Sequence, residues 1–105
     1  MTTIKFFKNR EKFIGFECSG HTGYAKAGKD ILCSAVSALT QSAVLGIIDV
    51  LGIEGEFDKE DGFLRFFPNK ITNETELIFK VLYNSLLDLM KDNEKYIQIE
   101  TVKRS

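Results

Sequence analysis

Asp30-Ile31-Leu32-Cys33-Ser34-Ala35-Val36-Ser37-Ala38-Leu39-Thr40-Gln41-Ser42-Ala43-Val44-Leu45-Gly46-Ile47-Ile48-Asp49-Val50 is the stretch that decides the fold. Leu32, Val36, Leu39, Ala43, Ile47 and Val50 recur at helical spacing and form one apolar stripe facing a core. Asp30 reads as the N-cap, because its carboxylate accepts from backbone N–H groups of the following turn. Val44, Leu45 and Ile48 lie off the stripe. The second half of the helix is therefore apolar nearly all round and expects cover on two sides. Gly52 supplies a stop.

Outward from this helix the pattern changes to that of strands. Upstream, Ile4 to Lys8 and Phe13 to Ser19 read as strands joined by the polar turn Asn9-Arg10-Glu11-Lys12. Residues 20 to 30, with Gly20, Gly23 and Gly28, read as a loop that moves or that lets another backbone approach closely. Downstream, Glu54 to Lys59 and Phe63 to Phe67 read as a hairpin turning at Asp61-Gly62. Pro68-Asn69 breaks its second strand. Thr72 or Asn73 caps a second helix, with Glu76 placed for a capping box, running to about Asn93. Tyr96 to Val102 is a last strand. The order β-β-α-β-β-α-β predicts an α+β fold: a two-layer sandwich of one sheet with both helices on one face. At 105 residues the chain is read as one domain, 1–105.

Composition narrows the classes of function. Apolar residues make up 44% and charged residues 28%, ordinary for a globular protein. A net charge of −1 argues against general nucleic-acid binding. No apolar run is expected to reach the length of a membrane span, and the N-terminus shows no signal-peptide pattern, so the expected setting is the cytoplasm with reduced thiols. One histidine and two cysteines match no zinc pattern, and no cofactor is expected.

Two residues suggest chemistry. His21 is the only histidine, in the glycine-bounded loop, and Cys33 stands twelve positions on, near the expected helix start. A thiol becomes a nucleophile when a base or a positive field favours its anion, and a helix N-terminus and an imidazole supply both. Cys33 shares a polar helix face with Asp30, Ser34, Ser37 and Gln41, away from the apolar stripe. Backbone N–H groups near Cys33 and Ser34 are candidate oxyanion donors. The plainer alternatives are a cysteine filling a helix–sheet gap and a turn histidine without a chemical role. Cys18, with Phe16 and Ile14 at period two, reads as a core residue. Asp30 serves as a cap or orients His21, and Ser37 bonds substrate or merely allows close packing.

The run Gly20-His21 through Gly28-Lys29-Asp30-Ile31-Leu32-Cys33-Ser34-Ala35-Val36-Ser37 resembles the Prp family, the ribosomal-processing cysteine proteases. The resemblance extends over nearly the whole chain. It implies a cysteine endopeptidase that removes the N-terminal extension of large-subunit ribosomal protein twenty-seven, as a step in ribosome maturation. By the same resemblance His21 and Cys33 form the catalytic dyad, Asp30 and Ser37 support it, and the protein is a homodimer with a flexible loop over the site. Gly20, Gly23, Tyr24 and Gly28 are the candidate substrate-loop residues, Tyr24 as a stacking partner for a substrate phenylalanine. The implied partner is the N-terminal peptide of that ribosomal protein, with no direct nucleic-acid or membrane contact. Two other readings stay open: a catalytically silent ribosome-associated binding module, and a thiol redox sensor in which Cys18 resolves Cys33. Glu54, Glu56, Asp58 and Glu60 alternate along an expected strand. They form a solubilising face or steer a basic substrate.

Overall fold

The computed structural model describes residues 1–20 and 27–104, with side chains at all of these except 27–30. Its elements are β1 (Thr2–Asn9), β2 (Lys12–Ser19), α1 (Ala27–Leu45), β3 (Gly55–Glu60), β4 (Phe63–Pro68), α2 (Asn73–Met90) and β5 (Ile97–Lys103). The order is the expected one. The strands form a single sheet in the order β3-β4-β2-β1-β5, with β5 parallel to β1 and all other neighbours antiparallel. Strands β2 and β3 therefore finish at the end where β1, β4 and β5 begin.

The core lies between one sheet face and the two helices. Ile4, Phe6, Phe16, Leu64, Phe66 and Ile97 of the sheet meet Leu32, Val36, Ile47, Phe79 and Leu86 in one buried cluster. A bulge lets β2 present two phenylalanines to this core. Phe7 faces Gly15 and Lys8 faces Phe13, leaving Ile14 as the extra residue. That resets the alternation, so Phe13 and Phe16 share a side. Phe6 stands 5.4 Å from Phe13 and 6.0 Å from Phe16, and Phe79 of α2 closes on both at 6.3 and 6.2 Å. Gly15 serves the opposite face. A Cβ there would run into the Phe67 ring and the Phe66 carbonyl, so glycine allows Phe67 to lie 5.1 Å from Phe7.

Helix α1 departs from expectation at both ends. It starts at Ala27 rather than at Asp30. Asp30 is thus inside the first turn rather than at the cap position, and Gly28 belongs to the helix rather than to the loop. At its far end α1 continues as a π-helical turn, Gly46–Val50, with Leu51 N–H bonding the Gly46 carbonyl at 3.0 Å. Gly52, at φ +70°, makes the stop. The cover expected over the apolar half of the helix is one-sided: Ile47 and Val44, the latter expected off the stripe, are buried, whereas Leu45 is 55% exposed and Val50, expected on the stripe, is 81% exposed at the end of the π-helical turn.

The membrane expectation also needs correction, since Ile31–Val50 is long and apolar enough, at 20 residues, to cross a bilayer. A core helix passes the same test, and here the stripe of Leu32, Val36, Ala43 and Ile47 is packed into the core.

The second helix is capped by Thr72. Its hydroxyl accepts from the Thr75 N–H at 3.1 Å, and the Thr75 hydroxyl accepts from the Thr72 N–H at 2.9 Å. Threonine thus completes the box expected of Glu76. The Glu76 carboxylate instead accepts from the Phe13 N–H at 2.9 Å, tying the first hairpin to α2. The helix ends at Met90, three residues early, where the Asn93 side chain and N–H take the Leu89 and Met90 carbonyls.

Candidate active site

At the end of the sheet where β2 stops, the chain must leave the strand beneath α1. Gly20 makes that exit at φ +94°. Its N–H bonds the Gly62 carbonyl of the β3–β4 turn at 2.9 Å, and a Cβ would strike the Met1 carbonyl. Of the two uses expected for the loop glycines, Gly20 shows the close backbone approach. It is a pinned corner that only glycine fits.

The early part of α1 crosses above this corner. Between it and the β3–β4 hairpin lies a cleft of about 560 Å³. Cys33, Ser34, Ser37 and Gln41 line it from the helix, as their shared polar face predicts, and Cys18 lines it from β2. Ser37 accepts a hydrogen bond from the Gln41 side-chain amide, whose oxygen accepts from Lys59 Nζ at 2.9 Å. This chain links α1 to the edge strand and fixes one wall. Gln41 was legible as part of the polar face. Lys59, eighteen residues on and on another element, was not. Nor was Thr2, buried at the cleft with a hydroxyl that has no hydrogen-bond partner among the described residues.

The two thiols differ in setting. Neither is in a disulfide. Cys18 packs against the core, as expected, but also reaches the cleft. Burial, and then the neighbouring charge of Cys33, raises its pKa from 9.0 to about 11. At neutral pH it is therefore a protonated thiol and a poor nucleophile. Cys33 is half-buried on the cleft wall. Because α1 begins at Ala27, Cys33 is its seventh residue and sits in the second turn. The helix dipole acts on it from farther away than expected. In a helix that starts at Ala27, the N–H groups of Cys33 and Ser34 lie beyond the first four, which are the ones without an intrahelical partner.

His21, Gly23 and Tyr24 lie outside the described residues, as does the side chain of Asp30. The acidic residues of β3 divide. Glu56 and Asp58 stand opposite Phe67 and Arg65, exposed on the sheet face away from the helices, while Glu60 reaches the cleft beside Lys59.

Comparison with known proteins agrees with this fold. The family model described as cysteine protease Prp matches residues 1–98. The ribosomal processing cysteine protease Prp of Bacillus subtilis is 27% identical over 95 residues, covering 84% of this chain and 85% of the relative. Two crystal structures of the essential ribosomal processing protease Prp from S. aureus share the fold at a TM-score of 0.86, one with a covalently linked product peptide and one with a substrate peptide. They are 23% and 22% identical, and each comparison covers 96% of this chain and 99% of the other.

Proposed function

The chain belongs to the Prp family of cysteine proteases, and from that premise we propose that Cys33 and His21 cut the N-terminal extension from large-subunit ribosomal protein twenty-seven. In this reading the Cys33 thiolate attacks the scissile carbonyl and the amine leaves with a proton from His21. The resulting thioester is hydrolysed by water that His21 deprotonates. Ser37, held by Gln41 and Lys59, faces the peptide one turn beyond the nucleophile. The observation that carries the reading is the place of Cys33. It is one of two thiols on the cleft, and the other, Cys18, is held protonated by its surroundings.

The exposed apolar groups of the helices, Leu45 and Val50 with Leu77 and Val81, support a homodimer that covers them. The enzyme would act in the cytoplasm, where its substrate is made, without membrane attachment.

The test is mass spectrometry of the full-length ribosomal protein incubated with this enzyme. Loss of the N-terminal extension is expected, and both Cys33→Ala and His21→Ala should abolish it. Cleavage surviving either change would overturn the dyad.

A further inference from the structure

The end of the sheet opposite the cleft carries a concentration of positive charge that the net charge of −1 conceals. Lys8, Arg10, Lys12, Lys103 and Arg104 line one concave surface there, bounded by the β1–β2 turn and Ile71. Topology gathers them: β5 runs parallel to β1, so Lys8 stands directly beside Lys103, and the Arg104 N–H bonds the Lys8 carbonyl at 2.7 Å. Like charges in register repel and cost stability. Among the described residues no ion pair involves any of the five; Lys8 lies over the Phe13 ring, 4.6 Å from its centroid, and Glu11 lines the same surface. The carboxylates nearby are Glu11 in the turn and Glu74 and Glu76 at the start of α2, and Glu76 is taken by the Phe13 N–H.

Two further features set the surface apart from an incidental excess of lysine. The Arg104 guanidinium lies over the rings of Phe7 and Phe67, 4.4 and 4.9 Å from their centroids. Contact with two rings restrains the guanidinium at this place. The turn residues Arg10 and Glu11 take φ of 51° and 71°, a conformation better suited to Asn-Gly. The chain thus keeps a cation at the tip at the expense of backbone strain.

We infer that this surface binds the phosphate backbone of RNA. Five cations against one carboxylate, Glu11, along a concave face match a polyphosphate chain. None of the large exposed apolar side chains belongs to the turn, to residues 69–71 or to the end of β5, so the surface lacks the anchors of a bilayer contact. Its phenylalanines lie under cations rather than open to bases, so the contact reads phosphate and not sequence. RNA rather than DNA follows from the proposed substrate, a ribosomal protein, and in that respect the inference rests on the proposed function. The cleft lies at the other end of the sheet, so a protein held by this surface keeps its site open.

The test is fluorescence anisotropy of the full chain with a labelled single-stranded RNA of mixed sequence, a DNA of the same sequence, and vesicles of phosphatidylserine and phosphatidylcholine. Expected is saturable RNA binding with Kd on the order of 10⁻⁴ to 10⁻⁶ M at physiological salt. It should weaken with salt by about 0.7 in log–log slope for each phosphate contacted. The double change Lys8→Glu/Lys103→Glu should weaken binding at least tenfold and leave peptide cleavage unchanged. Glu56→Lys/Asp58→Lys, on the far edge, should not weaken it. Thermal melts check that each variant is folded, and Arg104→Gln, a milder change, must also reduce affinity. Absence of RNA binding, undiminished binding by folded Lys8→Glu/Lys103→Glu, tighter binding to DNA, or binding to vesicles alone would overturn the inference. Failure of peptide cleavage with RNA binding intact would instead count against the proposed protease reading.

Discussion

The two ends of the sheet are built from the same strands and have opposite characters. At one end β2 leaves through a pinned glycine, α1 crosses overhead, and a cleft opens beside two thiols and a serine. At the other, a two-residue turn and the last strand bring five cations together. The difference teaches that placement follows from strand direction rather than from composition. Cys18 and Cys33, fifteen residues apart, converge because β2 ends where α1 begins. Lys8 and Lys103, at opposite extremes of the chain, converge because β5 is parallel to β1.

The largest effect expected is at the cleft. Cys33→Ala should reduce kcat/KM for a peptide carrying the extension by on the order of 10³-fold or more, and His21→Ala by roughly 10²- to 10⁴-fold. The corresponding Lys8→Glu/Lys103→Glu variant should leave that kinetic assay untouched, which would sharpen the separation of the ends. Next comes the core that joins them. Phe16→Ala empties the centre of the Phe6–Phe13–Phe79 cluster and should cost about 3–5 kcal/mol in urea denaturation. A loss below about 1 kcal/mol would mean the cluster is not the shared support of both ends.

A smaller, pH-dependent effect should appear at the cleft. The folded pKa of Cys18 is raised, so the native state favours its protonated thiol. The stabilisation is complete below the unfolded value of 9.0 and is lost as pH rises through about 11. Unfolding free energy measured across that window should fall in the parent protein and fall less steeply in Cys18→Ala. Equal slopes would show that Cys18 is not desolvated. The smallest effect lies at the basic turn. Replacing Arg10-Glu11 with Asn-Gly should raise stability by about 1 kcal/mol by relieving two positive φ angles. A loss of stability would mean the turn holds no strain.

Much of this was legible from local pattern. The stripe Leu32/Val36/Ala43/Ile47 gave a helix, Asp61-Gly62 gave a hairpin, and the polar face Cys33/Ser34/Ser37/Gln41 gave the cleft wall. What escaped were features set by competition or by distant pairing. The start of α1 at Ala27 was hidden because aspartate is compatible with a first helical turn as well as with a cap, so its presence at position 30 does not fix the boundary. Thr75 took the capping-box role because the cap is Thr72 rather than Asn73, which puts Thr75 and not Glu76 at the third helical position. The bulge at Ile14, which sends Phe13 into the core, leaves no trace in a period-two count. Net charge, as a sum, concealed the segregation that the strand order creates.

The central claim is that Cys33, rather than Cys18, attacks the peptide. Rapid acid quench of the enzyme with substrate, followed by intact-mass and peptide mapping, tests it directly. The account predicts a transient adduct equal in mass to the released N-terminal segment, bound as a thioester at Cys33 and absent from Cys33→Ala. An adduct mapping to Cys18, or full turnover by Cys33→Ala, would contradict it.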